Sequence, residues 1–181
     1  MKRSFVETVE IPQGISCEMQ NNSIKCKKGS AELSRALASP KLNVVLKDNK
    51  VELSCSAGNK RDYKTIKSLI SHISNMFIGL EKPYVYHLEA CNVHFPMTIK
   101  SEPGRVVINN FLGEKTPRFA TILPGVNVEI KGQKITVTSP DKEAAGQTAA
   151  SIEKATKIRN RDRRIFQDGI FITDRPAGGS R

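Results

Sequence analysis

The sequence predicts an α+β protein made of two tandem homologous domains, each an antiparallel β-sheet with one α-helix packed on one face. Three observations carry this. First, residues 43–54 (NVVLKDNKVELS) and 127–138 (NVEIKGQKITVT) align at an offset of 84 without a gap. Asn43/Asn127, Val44/Val128, Lys47/Lys131 and Lys50/Lys134 are identical, and swaps such as Leu46/Ile130 keep the chemistry. Second, both stretches alternate apolar and polar residues around a turn, the pattern of a half-buried hairpin. Third, each is followed at once by a segment of helical period, so helices trail hairpins instead of alternating with single strands.

In the first copy, Val44 and Leu46 share a face, Asp48-Asn49 makes the turn, and Val51, Leu53 and Cys55 resume that face. In the second, Val128 and Ile130 lead through Gly132-Gln133 to Ile135 and Val137. Asn59 is a predicted N-cap with Asp62 three residues on, the spacing of a capping box. Ile66, Leu69, Ile70, Ile73, Phe77 and Leu80 then form one stripe, with Gly79 and Pro83 as stop signals. The second helix is expected to open at Ser139-Pro140-Asp141 and to bury Ala145, Thr148, Ala149, Ile152 and Ala155. Gly146 within it suggests close backbone packing. Upstream strands are expected over 5–11, 16–20, 24–28 and 32–37, and again over 84–93, 97–101 and 106–110. At the same offset of 84, Ile24 pairs with Ile108 and Gly29 with Gly113. The domains are therefore placed at 1–82 and 83–174, with 175–181 (RPAGGSR) as a disordered tail.

The chain carries 29 basic and 18 acidic side chains, a net charge of +11. A field of that sign points to a polyanion, nucleic acid before an anionic membrane. The opening residues hold no apolar run, and no stretch approaches the ~20 apolar residues of a membrane span, so neither a secretory signal nor a membrane partner is expected. Cys17, Cys26, Cys55 and Cys91 are scattered without a C-x-x-C pair. They are expected to be small buried hydrophobes, not a disulfide framework.

The densest cationic signal is 154–164, KATKIRNRDRR, holding Lys154, Lys157, Arg159, Arg161, Arg163 and Arg164 against Asp162 alone. Some of this charge favours a helix C-terminus. Four arginines within 159–164 exceed that need, and guanidinium forks match phosphate oxygens. A looser set, Gly113 to Arg118, offers Lys115 and Arg118 on a loop. The predicted RNA-binding residues are thus Lys154, Lys157, Arg159, Asn160, Arg161, Arg163, Arg164, Lys115 and Arg118. The competing reading is a solvated basic face, and the lysines of the first unit (Lys25, Lys27, Lys28, Lys60, Lys64, Lys67) fit that better. His87 and His94 show no Cys, Asp or Glu at metal-ligand spacing. No carboxylate pair suggests acid–base work, and no glycine-rich loop opens a helix. No cofactor and no small-molecule substrate are expected. With few aromatics on its strands, the chain should recognise phosphate, ribose and shape more than base edges. A free enzyme and a protein-interaction or membrane-surface module stand as the other classes.

Particular strings carry a resemblance. His94-Phe95-Pro96-Met97, Val106 to Lys115 (VVINNFLGEK), Asp141-Lys142-Glu143 with Gly146 to Ala150, Thr156-Lys157-Ile158, and Phe166 to Ile170 (FQDGI) resemble the C-terminal half of the large-subunit ribosomal protein L6 family in its archaeal and eukaryotic-cytosolic form, and the ending FQDGIFI favours an archaeal over a bacterial source. Val9 to Pro12 is similar in the first unit. The resemblance implies two copies of a small α+β unit and no enzymatic activity. It also implies binding to 23S-type ribosomal RNA mainly through the second unit, near the stalk base and the factor-binding RNA loop, beside neighbouring ribosomal proteins.

Overall fold

The computed structural model describes residues 3–20, 23–37, 42–47, 49–162 and 164–176. Asp48 of the first turn, the candidate Arg163 and tail residues 177–181 lie outside them. The chain divides into two compact units, with the boundary between Lys82 and Pro83.

The first unit runs β1 (Arg3–Glu10), β2 (Ser16–Gln20), β3 (Ser23–Lys28), β4 (Ala31–Ala36), β5 (Asn43–Lys47), β6 (Lys50–Gly58) and α1 (Lys60–Glu81). The α+β expectation holds, and the strands divide between two antiparallel sheets, ordered β1-β6-β5 and β2-β3-β4. Helix α1 packs against strands of both. Along β6, Val51, Leu53 and Cys55 are buried, as their alternation requires. They meet Ile24, Cys26 and Leu37 from the other strands and Ile66, Ile73, Phe77 and Leu80 from α1. The capping box forms: Asn59 accepts from the Arg61 and Asp62 amides, and Asp62 accepts from the Asn59 amide. Gly79 does not stop the helix. It lies buried inside it, and the last helical residue is Glu81, two before Pro83.

The second unit runs β7 (Tyr84–Cys91), β8 (Thr98–Glu102), β9 (Arg105–Asn109), β10 (Arg118–Thr121), β11 (Asn127–Lys131), β12 (Lys134–Ser139), α2 (Lys142–Ala155) and β13 (Gly169–Asp174). Its sheets are β10-β9-β8 and β11-β12-β7-β13, and α2 packs against strands of both. Ala145, Thr148, Ala149 and Ile152 are buried, with Ala155 at the margin. The helix opens two residues later than expected. Asp141 is the cap and accepts from the Glu143 amide, so Pro140 precedes the helix. Ser139 instead donates to the Gly125 carbonyl and accepts from the Asp141 amide. The close packing at Gly146 is real: a Cβ there would stand 2.9 Å from the Tyr86 hydroxyl.

The offset of 84 superposes the β5–β6 and β11–β12 hairpins, but not the hairpins before them. Gln20 faces Ser23, and Glu102 faces Arg105, which is an offset of 82 (20 + 82 = 102, 23 + 82 = 105). Ile24 therefore corresponds to Val106 and Cys26 to Ile108, all four fully buried. The pairing of Ile24 with Ile108 and of Gly29 with Gly113 was a coincidence of an ungapped alignment. The second copy gains two residues between its third and fifth strands.

Candidate RNA interface

The basic segment begins where α2 ends. The Thr156 amide donates to the Glu153 and Lys154 carbonyls, closing the helix, and the Lys157 amide donates to Lys154. From 158 to 168 the described chain has neither helix nor strand. Asn160 takes a left-handed conformation, φ 57°, which asparagine tolerates better than most residues and which turns the chain back. Asp162 organises the next turn: its carbonyl accepts from the Ile165 and Phe166 amides, and its carboxylate from the Arg164 amide and guanidinium. These Arg164 contacts hold the Asp162 carboxyl below the usual carboxylate range.

Both ends of the segment are pinned. The Ile170 amide donates to the Thr156 hydroxyl at 2.9 Å, and the Ile172 amide donates to Glu153 at 3.2 Å. Asp168, 2% exposed, accepts from the Val93 amide at 2.8 Å and the His94 amide at 3.1 Å. Its other carboxylate oxygen meets His94 Nδ1 at 2.6 Å. Burial pushes the Asp168 carboxyl up, but these bonds from His94 and Val93 outweigh it and hold the carboxyl below its ordinary value. His94, which has no acid at metal-ligand spacing in sequence, thus gains one through the fold. Its partner lies 74 residues away in sequence. The His94 ring also stacks on Phe166, with 5.2 Å between centroids, and Arg161 lies 4.8 Å from the Phe166 ring.

The structure brings the two predicted basic sets together. Leu112, Glu114, Arg118 and Phe119 line one groove with Lys154, Lys157, Ile158, Arg159 and Arg161. Arg118 joins them: it donates to the Ala155 carbonyl at 2.9 Å and, as a fork, to both oxygens of Glu114 at 2.7 and 2.6 Å. Its guanidinium lies 4.3 Å from the Phe111 ring. The Arg118 bonds depress the Glu114 carboxyl against the pull of burial, helped by the charges of Arg118 and Arg161. Arg118 is also not a loop residue but the first of β10. Arg118 and Arg164 are therefore paired with carboxylates of the protein itself, Arg164 with its side chain still 91% exposed.

The remaining cations are not. Lys154, Lys157, Arg159 and Lys115 are exposed and have no carboxylate partner among the described residues, while exposed Arg161 rests on a ring. Asn160 is exposed beside them. Sequence reasoning missed Asp168, His94, Phe166 and Glu114, which hold these groups in place. The one available signal was that all four fall in strings that carried the family resemblance.

No group of three or more His, Cys, Asp or Glu among the described residues is placed to hold a metal ion. A larger cavity beside Phe166 and Phe171 is lined by Glu153, Thr156 and Asp168, each of which already accepts a backbone amide, and by Lys154, Lys157 and Gln167. No helix of the described residues is long and apolar enough to cross a membrane.

Fold and site together define a duplicated α+β scaffold that displays unpaired cations on an irregular, anchored segment. Residues 95–169 match the family model described as Ribosomal protein L6. "Large ribosomal subunit protein uL6" of Methanobrevibacter smithii is 41% identical over 92% of this chain and 93% of its own length. The proteins of that description from Methanothrix thermoacetophila and Methanococcus vannielii are 38% and 39% identical, over 97% and 93% of this chain. These archaeal relatives cover nearly all of both units, and the chain belongs to the ribosomal protein L6 family.

Proposed function

We propose that the chain is a structural, non-catalytic constituent of the large ribosomal subunit. Its second unit binds 23S-type ribosomal RNA, near the stalk base and the factor-binding RNA loop, with neighbouring ribosomal proteins as its other partners. The observation that carries this reading is the set Lys154, Lys157, Arg159, Arg161 and Lys115: five exposed cations without carboxylate partners among the described residues, the first four on or beside backbone pinned by Asp168 and Thr156. Pinned cations bind phosphate with little ordering cost, and an irregular strip follows folded RNA better than a straight helix. The family and the relatives' description support the ribosomal setting.

Salt dependence of binding to a large-subunit RNA fragment tests the site. Five phosphate contacts give a slope of log affinity against log salt of about −4, from ~0.7–0.9 per contact. Replacing Lys157 and Arg161 together by Ala should flatten the slope by about one to two, whereas replacing Lys60 and Lys64 of the first unit should leave it unchanged. An unchanged slope in the first variant rejects this site. Crosslinking of the chain on purified large subunits tests the location. Links from 154–161 to RNA distant from the stalk base would refute it.

A further inference from the structure

Two of the four cysteines meet across a sheet. Cys17 on β2 and Cys26 on β3 are directly opposed in antiparallel register, and their sulfurs are 2.8 Å apart. Directly opposed residues on antiparallel strands have Cα atoms about 4.5–5.5 Å apart, inside the range of about 4.4–6.8 Å that a disulfide spans. The side chains point the same way off the sheet, and a bond requires their sulfurs to close from 2.8 Å to about 2.05 Å. Their accessibility differs: Cys17 is half-buried, and Cys26 is fully buried in the core of the first unit. All four cysteines are free thiols in this structure.

We infer that Cys17 and Cys26 form a peroxide-sensitive dithiol, a modification site in which Cys17 is attacked first and Cys26 resolves the product into a cross-strand disulfide. The Cys17 thiolate attacks one peroxide oxygen. The O–O bond breaks, hydroxide leaves and takes a proton to become water, and Cys17 is left as the sulfenic acid. Cys26 sulfur then attacks the Cys17 sulfur. The S–O bond breaks, the Cys26 proton passes to the departing hydroxide, and a second water leaves. Two thiols are oxidised and one peroxide is reduced to two waters. The asymmetry of the pair suits these roles. Hydrogen bonding by Cys26 holds the Cys17 thiol below the usual thiol range against burial, while the same contact, burial and the neighbouring charge push Cys26 far up. A shared metal ion is the poorer reading. A zinc ion about 2.3 Å from each sulfur at a tetrahedral angle needs them wider apart than they stand.

The test uses the full chain carrying Cys91→Ser, because Cys91 is exposed and would react by itself. The protein is treated with hydrogen peroxide, quenched, denatured and alkylated. The expected result is loss of two alkylatable thiols of the remaining three, a mass 2 Da lower, and a digest fragment linking Cys17 to Cys26 that dithiothreitol releases. Cys17→Ser should abolish the loss at Cys26, and Cys26→Ser should leave Cys17 trapped as sulfenic or sulfinic acid. If either serine variant does not fold, the linkage map of the parent still decides. Over-oxidation of Cys17 with Cys26 still alkylatable, or crosslinking only between molecules, would overturn the inference.

Discussion

The anchor at Asp168 permits the sharpest quantitative prediction. Asp168→Ala removes three hydrogen bonds to one carboxylate, from the Val93 amide, the His94 amide and the His94 ring. A hydrogen bond to a charged group is worth about 1.5–3 kcal/mol, and each buried donor left unsatisfied costs about 1–3 kcal/mol. Val93 and His94 are exposed residues and the His94 side chain is 34% exposed, so all three donors recover part of their loss from water. The expected destabilisation is about 2–4 kcal/mol for Asp168→Ala and roughly half of that for Asp168→Asn, which keeps a carbonyl oxygen for the amides. The sign with pH follows from the lowered Asp168 value. A carboxyl whose folded pKa lies below its unfolded value of about 3.9 contributes stability that is complete above that value. The contribution is lost as pH falls through the folded pKa. Wild type should therefore exceed Asp168→Asn by a constant margin above about pH 5, and the margin should shrink toward pH 3. Urea unfolding at each pH measures the margin, and amide exchange at Val93 and His94 localises it. A margin under about 1 kcal/mol, or one flat down to pH 3, would refute the argument that Asp168 binds as an ionised acceptor.

Two further substitutions separate packing from charge. Gly146→Ala gains about 1 kcal/mol of helix propensity but drives a Cβ against the Tyr86 hydroxyl, a clash of about 1–3 kcal/mol. The variant should be neutral to destabilised by up to ~2 kcal/mol in urea unfolding, and stabilised once Tyr86→Phe removes the obstructing oxygen. The same sign in both backgrounds would contradict the geometry. Arg118→Lys keeps the charge but cannot make the fork to Glu114 while holding the Ala155 carbonyl. It should cost about 1–2 kcal/mol in the same assay, nearly as much as Arg118→Ala, and should leave the salt slope of RNA binding unchanged. Full rescue by lysine would show that only charge matters there.

Much of the fold was legible because its signals are local. Period-two alternation placed Val51, Leu53 and Cys55 inward, the helical stripe placed Ile66, Ile73 and Phe77, and the capping box at Asn59 needed only four residues of sequence. What was missed depends on register or long separation. Strand β10 is four residues long, follows Pro117 and carries an exposed Phe119, so neither length nor alternation announced it. The division of each unit into two sheets is a matter of which strands pair, and no local pattern encodes that. Cys17 and Cys26 looked scattered because their opposition exists only once β2 and β3 are zipped. At the site, the basic residues were visible as a run, but the acids that decide which of them are free were not. Glu114 claims Arg118 and Asp162 claims Arg164 through geometry, while Asp168 reaches His94 across most of the unit.

Charge alone does not choose between the copies. Residues 1–82 carry 14 basic and 8 acidic groups, and 83–181 carry 15 and 10. The comparison of the two copies favours the second as the RNA-binding unit proposed above. Aligned at their caps, Asn59 and Asp141 (59 + 82 = 141), the span of α1 (Lys60–Glu81) corresponds to 142–163 (60 + 82 = 142, 81 + 82 = 163). The first copy stays helical over that whole span and buries Phe77 and Leu80 in its last turns. The second copy abandons the helix at Ala155, and over the positions that follow it places Lys157, Arg159 and Arg161. It then adds Asp168 and β13, which the first copy lacks, to tie the freed chain down. The tight turn between Lys28 and Ala31 likewise has as its counterpart the connection 110–117, which carries Lys115 and Glu114. With one exception, Lys154 on the last turn of α2, the free cations of the candidate site lie on what the second copy substitutes into or adds to the shared plan. A duplicated scaffold under selection only for its core would have no reason to give up two turns of packed helix, with their buried apolar side chains, for exposed arginines. An external polyanion supplies that reason, because the surface lost from the core is regained as phosphate contact.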